Sequence, residues 1–515
     1  MRRTNRLRAR LAALGIVAVL PAAVPTGPAQ AGLLDPLEPL AGSLLSPVVD
    51  TVDDVVGGLV STGWLYDGTA TTMAEVRAAI KADRMWARGY TGRGIGVALI
   101  DTGVVPVRGL TRGNVVNGAD LSFESQADDL RHHDTFGHGT HMAGIIAGNE
   151  PGGLLGGGGF QGVAPQATLT SVKVGASDGA VDVSQVVAAV DWVVEHRNDD
   201  PSAPIRVLSL SYGTDGIQDY RSDPLTHAVE NAWRAGVVVV VSGGNKGFGS
   251  GKLNNPAYDP FVLSVGSADT RGTAYPSDDL VPDFSSRGDA SRRVDVTAPG
   301  RSIVSLRDPG SYLDWAHPGA RYGDRFFKGS GTSQSAAVVA GAVALLLDAR
   351  PRLTPDQVKF LLRDTAAAMP RADSAGRGAG EIDVAAAAAG TDLGEEQTFP
   401  ASVGTGRLDA ARGSQHVTDG GTELVGERDI LGPWHAVTWA RNSSAGTSWD
   451  GGRWNDRVWT SDCWCESTWT GPSWSGRSWD GSSWAGRSWD GRSWDGRSWD
   501  GRSWDGRSWD GRSWS

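Results

Sequence analysis

The feature that most restricts the fold is a set of short, almost wholly apolar runs, each followed by a stretch with helical spacing. Ile95-Gly96-Val97-Ala98-Leu99-Ile100 has no polar alternation, so it suits a strand buried on both faces rather than one facing water. Residues 169–174, 207–210, 237–241 and 262–265 read the same way. Between them, residues 183–196 carry apolar side chains at 183, 186, 187, 190, 193 and 194, close to the 3.6-residue period. Residues 224–235 form another such stretch. Strands alternating with helices predict an α/β fold, a mainly parallel sheet with helices on both faces. The longest later apolar run, 336–347, is 12 residues long, which suits a buried helix and is short for a bilayer. Thr354-Pro355-Asp356-Gln357 predicts a helix start: a capping Thr, Pro at the first position, and Gln to close the box.

The chain has 515 residues, room for two or three domains or for one large domain with appendages. With 48 Lys+Arg against 59 Asp+Glu the formal charge is −11, which argues against a nucleic-acid partner. Two cysteines, Cys463 and Cys465, cannot make a disulfide framework or a four-Cys zinc module. Residues 1–31 read as a signal peptide: five Arg among the first ten residues, an apolar stretch over 11–24, and Ala29-Gln30-Ala31 for cleavage. The expected location is therefore extracellular or at the cell surface. Residues 32–75 read as a pro-segment or N-terminal arm, and 391–433 as a linker or extension. From 434 to 515 Trp stands at every fifth position except Ser444, 16 Trp in 17 slots. A period of five fits neither a helical stripe nor a strand face. It leaves open a solenoid, a low-complexity tail, or an appendage whose indoles stack on cell-wall polysaccharide.

Three separated motifs carry chemistry. Asp101, in Leu99-Ile100-Asp101-Thr102-Gly103, stands just past a strand at the edge where parallel sheets hold ligands. An aspartic protease would need two such triplets, and there is one. In Gly137-His138-Gly139-Thr140-His141 small residues let a helix start close to that strand, with His138 at its head. His138 and His141 lack the four-residue spacing and the Glu of zincin motifs, so no metal is assigned. His132-His133-Asp134 reads as a solvated loop. In Gly329-Ser330-Gly331-Thr332-Ser333 the glycines permit a tight turn that sets Ser333 at a helix N-terminus, among unpaired N–H donors. A serine nucleophile needs a base and a carboxylate to orient it. Asp101, His138 and Ser333 supply all three groups, in the order Asp–His–Ser.

In these residues the chain resembles the subtilisin-like serine proteases, or subtilases, over roughly 76–390. Phe284-Ser285-Ser286-Arg287-Gly288, Thr297-Ala298-Pro299-Gly300 and Gly380-Glu381-Ile382-Asp383 add to the likeness. The resemblance implies a secreted serine endopeptidase acting on protein and peptide substrates through an acyl-enzyme. It implies that Asn245, in Ser242-Gly243-Gly244-Asn245, joins the Ser333 N–H in an oxyanion hole. It also implies that Ser211, Tyr212 and Gly213 pair with the substrate backbone. No cofactor is required for that chemistry; a structural calcium ion is common in the family, although no contiguous ligand loop stands in the sequence. Gln334 and Ala337 depart from the Met and Pro usual in the family. The alternative is a cell-envelope adhesion protein with an inert body, in which the Trp-rich segment does the work.

Overall fold

The structure, a computed structural model, describes residues 70–458 apart from 126, 128, 151–158, 217, 248–250, 392, 393, 395, 420, 421 and 451. The leader, residues 32–69, both cysteines and the Trp repeat from 459 onward lie outside the described residues.

At its centre are seven strands: β1 (Gly96–Asp101), β2 (Val115–Asp120), β3 (Thr168–Lys173), β4 (Ile205–Leu210), β5 (Val238–Ser242), β6 (Leu263–Ala268) and β7 (Val296–Pro299). They form one sheet in the order β2-β3-β1-β4-β5-β6-β7, and every pairing within it is parallel. Every residue of β1, β5 and β6 is buried, so both faces are covered, as the apolar runs predict. The helices of ten or more residues are α1 (His138–Ala147), α2 (Val183–His196), α3 (Pro224–Arg234), α4 (Thr332–Ala349), α5 (Pro355–Asp364) and α6 (Ala436–Ala445). α4 lies across β4–β7 with α1 beside it, and α2 packs against α3. α4 contains the 12-residue apolar run and is buried from Thr332 through Leu347. Each Val or Leu it buries contributes about 1.5–3 kcal/mol. α5 starts as predicted, with Thr354 and Gln357 closing a capping box.

Two strands escape the apolar-run reading, both at the sheet edges. β2 carries Asn117, Gly118 and Asp120 and is half open to water. β7 has four residues and ends in a proline, which an edge tolerates.

The order also fixes where a ligand can sit. From β1 the chain passes to β2 at the edge and returns to β3, between the two, all on one side of β1, and β4 begins the other side. The switch lies between β1 and β4, and crevices form at such points outside the carboxyl ends of the strands.

The fold does not stop at 390. Residues 399–458 run back over α2 and α3, and the Trp series begins inside this layer. Trp434, Trp439, Trp449 and Trp454 are all buried. The indole N–H groups of Trp439 and Trp454 donate to Asp191 Oδ2 at 2.8 and 3.0 Å, and Ser443 Oγ donates to Oδ1 at 2.6 Å. Trp449 donates to the Ala188 carbonyl at 2.9 Å. The boundary drawn at 434 from the period alone thus falls within a folded layer.

Candidate active site

Asp101 ends β1, Ser211–Gly213 follow β4 and Asn245 follows β5, so three adjacent strands deliver predicted residues to one sheet edge. His138 is the first residue of α1 and Ser333 the second of α4. These two helices pack on each other.

Glycine explains how α1 gets so close. Its N-cap, Gly137, has φ +103°, a left-handed conformation that favours glycine. A Cβ on Gly139 would stand 2.1 Å from the Gly103 carbonyl oxygen. With no side chain there, the helix head sits directly on the turn after Asp101. Asp101 Oδ1 meets His138 Nδ1 at 2.7 Å, with both residues 1% exposed. The Thr102 N–H donates to the same Oδ1 at 2.8 Å. A carboxylate in that place keeps the proton on Nδ1 and turns Nε2 outward as a base.

The loop read as solvated contributes to this arrangement. Asp134 is fully buried. Its Oδ1 accepts from Thr102 Oγ and from the Gly137 N–H, both at 2.7 Å, and its Oδ2 accepts from the Thr140 N–H at 2.7 Å. Thr102 Oγ in turn accepts from the Gly139 N–H at 2.9 Å. The residues on either side of His138 are therefore both pinned to the strand that carries Asp101. Behind them Lys173 is fully buried and donates to the Thr102 and His133 carbonyls at 2.9 and 2.7 Å. Burial opposes its charge, but Glu124 and Asp120 outweigh burial and hold its pKa above the ordinary value. His141, one turn into α1, is held well below the ordinary histidine range, by burial first and by His138 second.

The N-terminus of α4 is tied to three strand ends. Thr332 N–H donates to Asn245 Oδ1 at 2.8 Å, and the Gly244 N–H donates to Thr332 Oγ at 3.1 Å. Ser335 Oγ donates to the Ala298 carbonyl at 3.0 Å, and Ser267 Oγ to that of Gly331 at 3.1 Å. With Oδ1 accepting from the residue before Ser333, the Asn245 amide has a set orientation that leaves Nδ2 as its donor end. Ser333 Oγ is buried and makes no hydrogen bond among the described residues. The same holds for both amide atoms of the buried Gln334. Serine–histidine bonds are often long in uncomplexed enzymes and tighten with substrate.

Ser211 and Tyr212 are each 1% exposed, and the Gly213 carbonyl accepts from Gln415 Nε2 at 3.3 Å. Among the described residues no cluster of three or more His, Cys, Asp or Glu side chains could hold a metal ion.

Residues 92–406 match the Subtilase family. Similar proteins include serine protease AprX of Bacillus subtilis, 37% identical over 301 residues, 58% of this chain and 65% of that one. The major intracellular serine protease of the same organism is 32% identical over 52% of this chain and 72% of its own length. Subtilisin DY of Bacillus licheniformis is 34% identical over 60% of this chain and 96% of its own. The match to AprX spans under two thirds of that relative's length. The chain belongs to the subtilase family of serine-type endopeptidases.

Proposed function

We propose that the protein is a secreted endopeptidase that hydrolyses peptide bonds through an acyl-enzyme on Ser333. The observation that carries this reading is the 2.7 Å bond between buried Asp101 and His138, at the head of a helix that packs on the one bearing Ser333. His138 Nε2 takes the Ser333 hydroxyl proton as Oγ attacks the scissile carbonyl. Negative charge develops on the carbonyl oxygen, which the Ser333 N–H and Asn245 Nδ2 hold. Collapse breaks the C–N bond, and the imidazolium gives its proton to the departing amine. Water then repeats the cycle on the ester: His138 deprotonates it, the acid product leaves, and the proton returns to Oγ. Asp101 stays ionised throughout and stabilises the imidazolium.

Protein and peptide substrates would lie extended beside Ser211–Gly213, pairing through backbone groups. Main-chain pairing ignores side-chain identity, so specificity is broad. Export rests on the basic and apolar leader of residues 1–31. The relatives do not decide it, since one of them is named an intracellular protease. The Trp repeat beyond 458 suits stacking on cell-wall polysaccharide, which would keep the exported enzyme near its own surface.

The test is Ser333→Ala. Casein hydrolysis and labelling by a fluorophosphonate should both vanish while the thermal unfolding midpoint stays close to wild type. Robust hydrolysis by that variant would overturn the assignment.

A further inference from the structure

Residues beyond 406 lie outside the family match, yet part of that stretch reaches the segment that follows β4. The short helix Leu408–Arg412 and the turn after it lie against residues 213–216. Thr214 Oγ donates to the Ala411 carbonyl at 2.5 Å. The Asp215 carboxylate accepts from the Ser414 N–H at 2.7 Å and from its hydroxyl at 2.6 Å. The fit is close: a Cβ on Gly216 would come within 2.7 Å of the Ala410 and Ala411 carbonyl oxygens.

Arg412 gives this turn its footing. It is fully buried, and its Nε meets Asp182 Oδ2 at 2.6 Å. Asp182 is itself the N-cap of α2. Removing one partner of such a pair leaves an uncompensated buried charge, so the turn is held firmly. From that base Gln415, 7% exposed, extends Nε2 to the Gly213 carbonyl oxygen at 3.3 Å.

A peptide that adds to a strand edge uses the backbone N–H and C=O groups of that edge along its length. Gly213 is the last residue of the edge in the functional reading above, on which this inference rests. Its carbonyl already has a donor, and that donor comes from outside the family's portion of the chain. We propose that Gln415 ends the peptide-binding edge. By holding the Gly213 acceptor it lets a substrate gain main-chain pairing at Ser211 and Tyr212 and little at Gly213 or beyond. Gln415 is thus a specificity-determining residue for substrate length on the side N-terminal to the cut bond. A carbonyl oxygen has a second lone pair, so the competition is partial and its effect is modest.

The experiment compares wild type with Gln415→Met, which keeps the reach but has no donor, and with Gln415→Glu, which puts an acceptor against the carbonyl. Substrates are acylated peptide anilides with about one to five residues before the cut. Fluorophosphonate titration counts competent enzyme, so partial unfolding cannot imitate a change in KM. In both variants KM for peptides of four and five residues should fall roughly 3- to 10-fold, the scale of one net hydrogen bond. KM for one- and two-residue substrates and every kcat should stay within about twofold. An unchanged KM, a rise, or an equal change at every length would overturn the proposal. If Ser333→Ala, run beside them, still cleaves these peptides, the catalytic reading fails instead. If it is inert and the length profile is flat, only the role of Gln415 fails.

Discussion

An amide side chain has an acceptor end and a donor end, and in Asn245 the acceptor end is committed to the Thr332 N–H. One bond therefore does two things: it caps the approach to α4 and orients Nδ2. Asn245→Ala removes both effects, whereas Asn245→Asp keeps an acceptor for Thr332 and loses only the donor. Both variants should lower kcat by about 10²–10³, the usual scale for one oxyanion donor, with KM within about twofold. Steady-state kinetics on titrated enzyme checks this, and an Asp variant with full kcat would remove the donor role. At this scale the meeting of Asp101 and His138 was legible because local glycines advertise it: Gly103 and Gly139 mark where backbone passes close to backbone. Asp134 was not legible. Its use depends on Thr102, 32 positions away, and in sequence it looks like the end of a polar loop. Gln415 was hidden for the same reason, since its partner Gly213 lies 202 positions upstream.

Among the elements, α2 is the one whose neighbours sequence could not supply. Its amphipathic pattern was read residue for residue, and the helix runs over Val183–His196 as expected. The pattern contains Asp191 on a face that is fully buried, and nothing local explains a buried carboxylate. The explanation is Trp439, Trp454 and Ser443, whose three donors converge on it. Burial pushes the Asp191 pKa up, and those donors oppose the rise. Asp191→Ala would leave two indole N–H groups and a hydroxyl inside without acceptors. The expected cost is about 2–4 kcal/mol, at roughly 1–3 kcal/mol for each unsatisfied buried group with partial relaxation. Thermal or urea unfolding in the Ser333→Ala background, where self-digestion cannot interfere, would measure it. A midpoint equal to the parent's would show that the Trp layer does not depend on this carboxylate. The five-residue period misled on this point because it is a property of the letters. Identical spacing runs through Trp434 to Trp454, which the fold buries, and on past the described residues.

For the molecule as a whole, the sheet was largely legible because buried parallel strands leave a continuous apolar signature. The edges and the C-terminal layer were not, because half-exposed strands and long-range polar anchors leave none. One further property belongs to this scale. Asp279 and Glu381 are buried side by side, at 1% and 0% exposed, although they are remote in sequence. Burial first, and Glu381 second, push Asp279 up to about 10; burial pushes Glu381 up to about 7. Each carboxyl keeps its proton in the folded chain at a pH where the unfolded chain has released it. Their contribution to stability is complete below about pH 4 and is lost as pH rises through the folded values. Between pH 7 and 10 the unfolding midpoint of the Ser333→Ala chain should fall, and Asp279→Asn should flatten that decline. A decline of equal slope in both proteins would show that the pair does not set it.

The C-terminal layer also changes what counts as a unit of this protein. Trimming at residue 406, where the family match ends, would strip Arg412 from Asp182, Ser414 from Asp215, and both indoles from Asp191. Asp182, Asp191 and Asp215 would then each lose partners that hold them. Anyone expressing a minimal catalytic fragment should keep the layer through Arg457, which meets the Pro433 carbonyl and Asp429; the shorter product would be a different surface, and its behaviour would report the scissors rather than the enzyme.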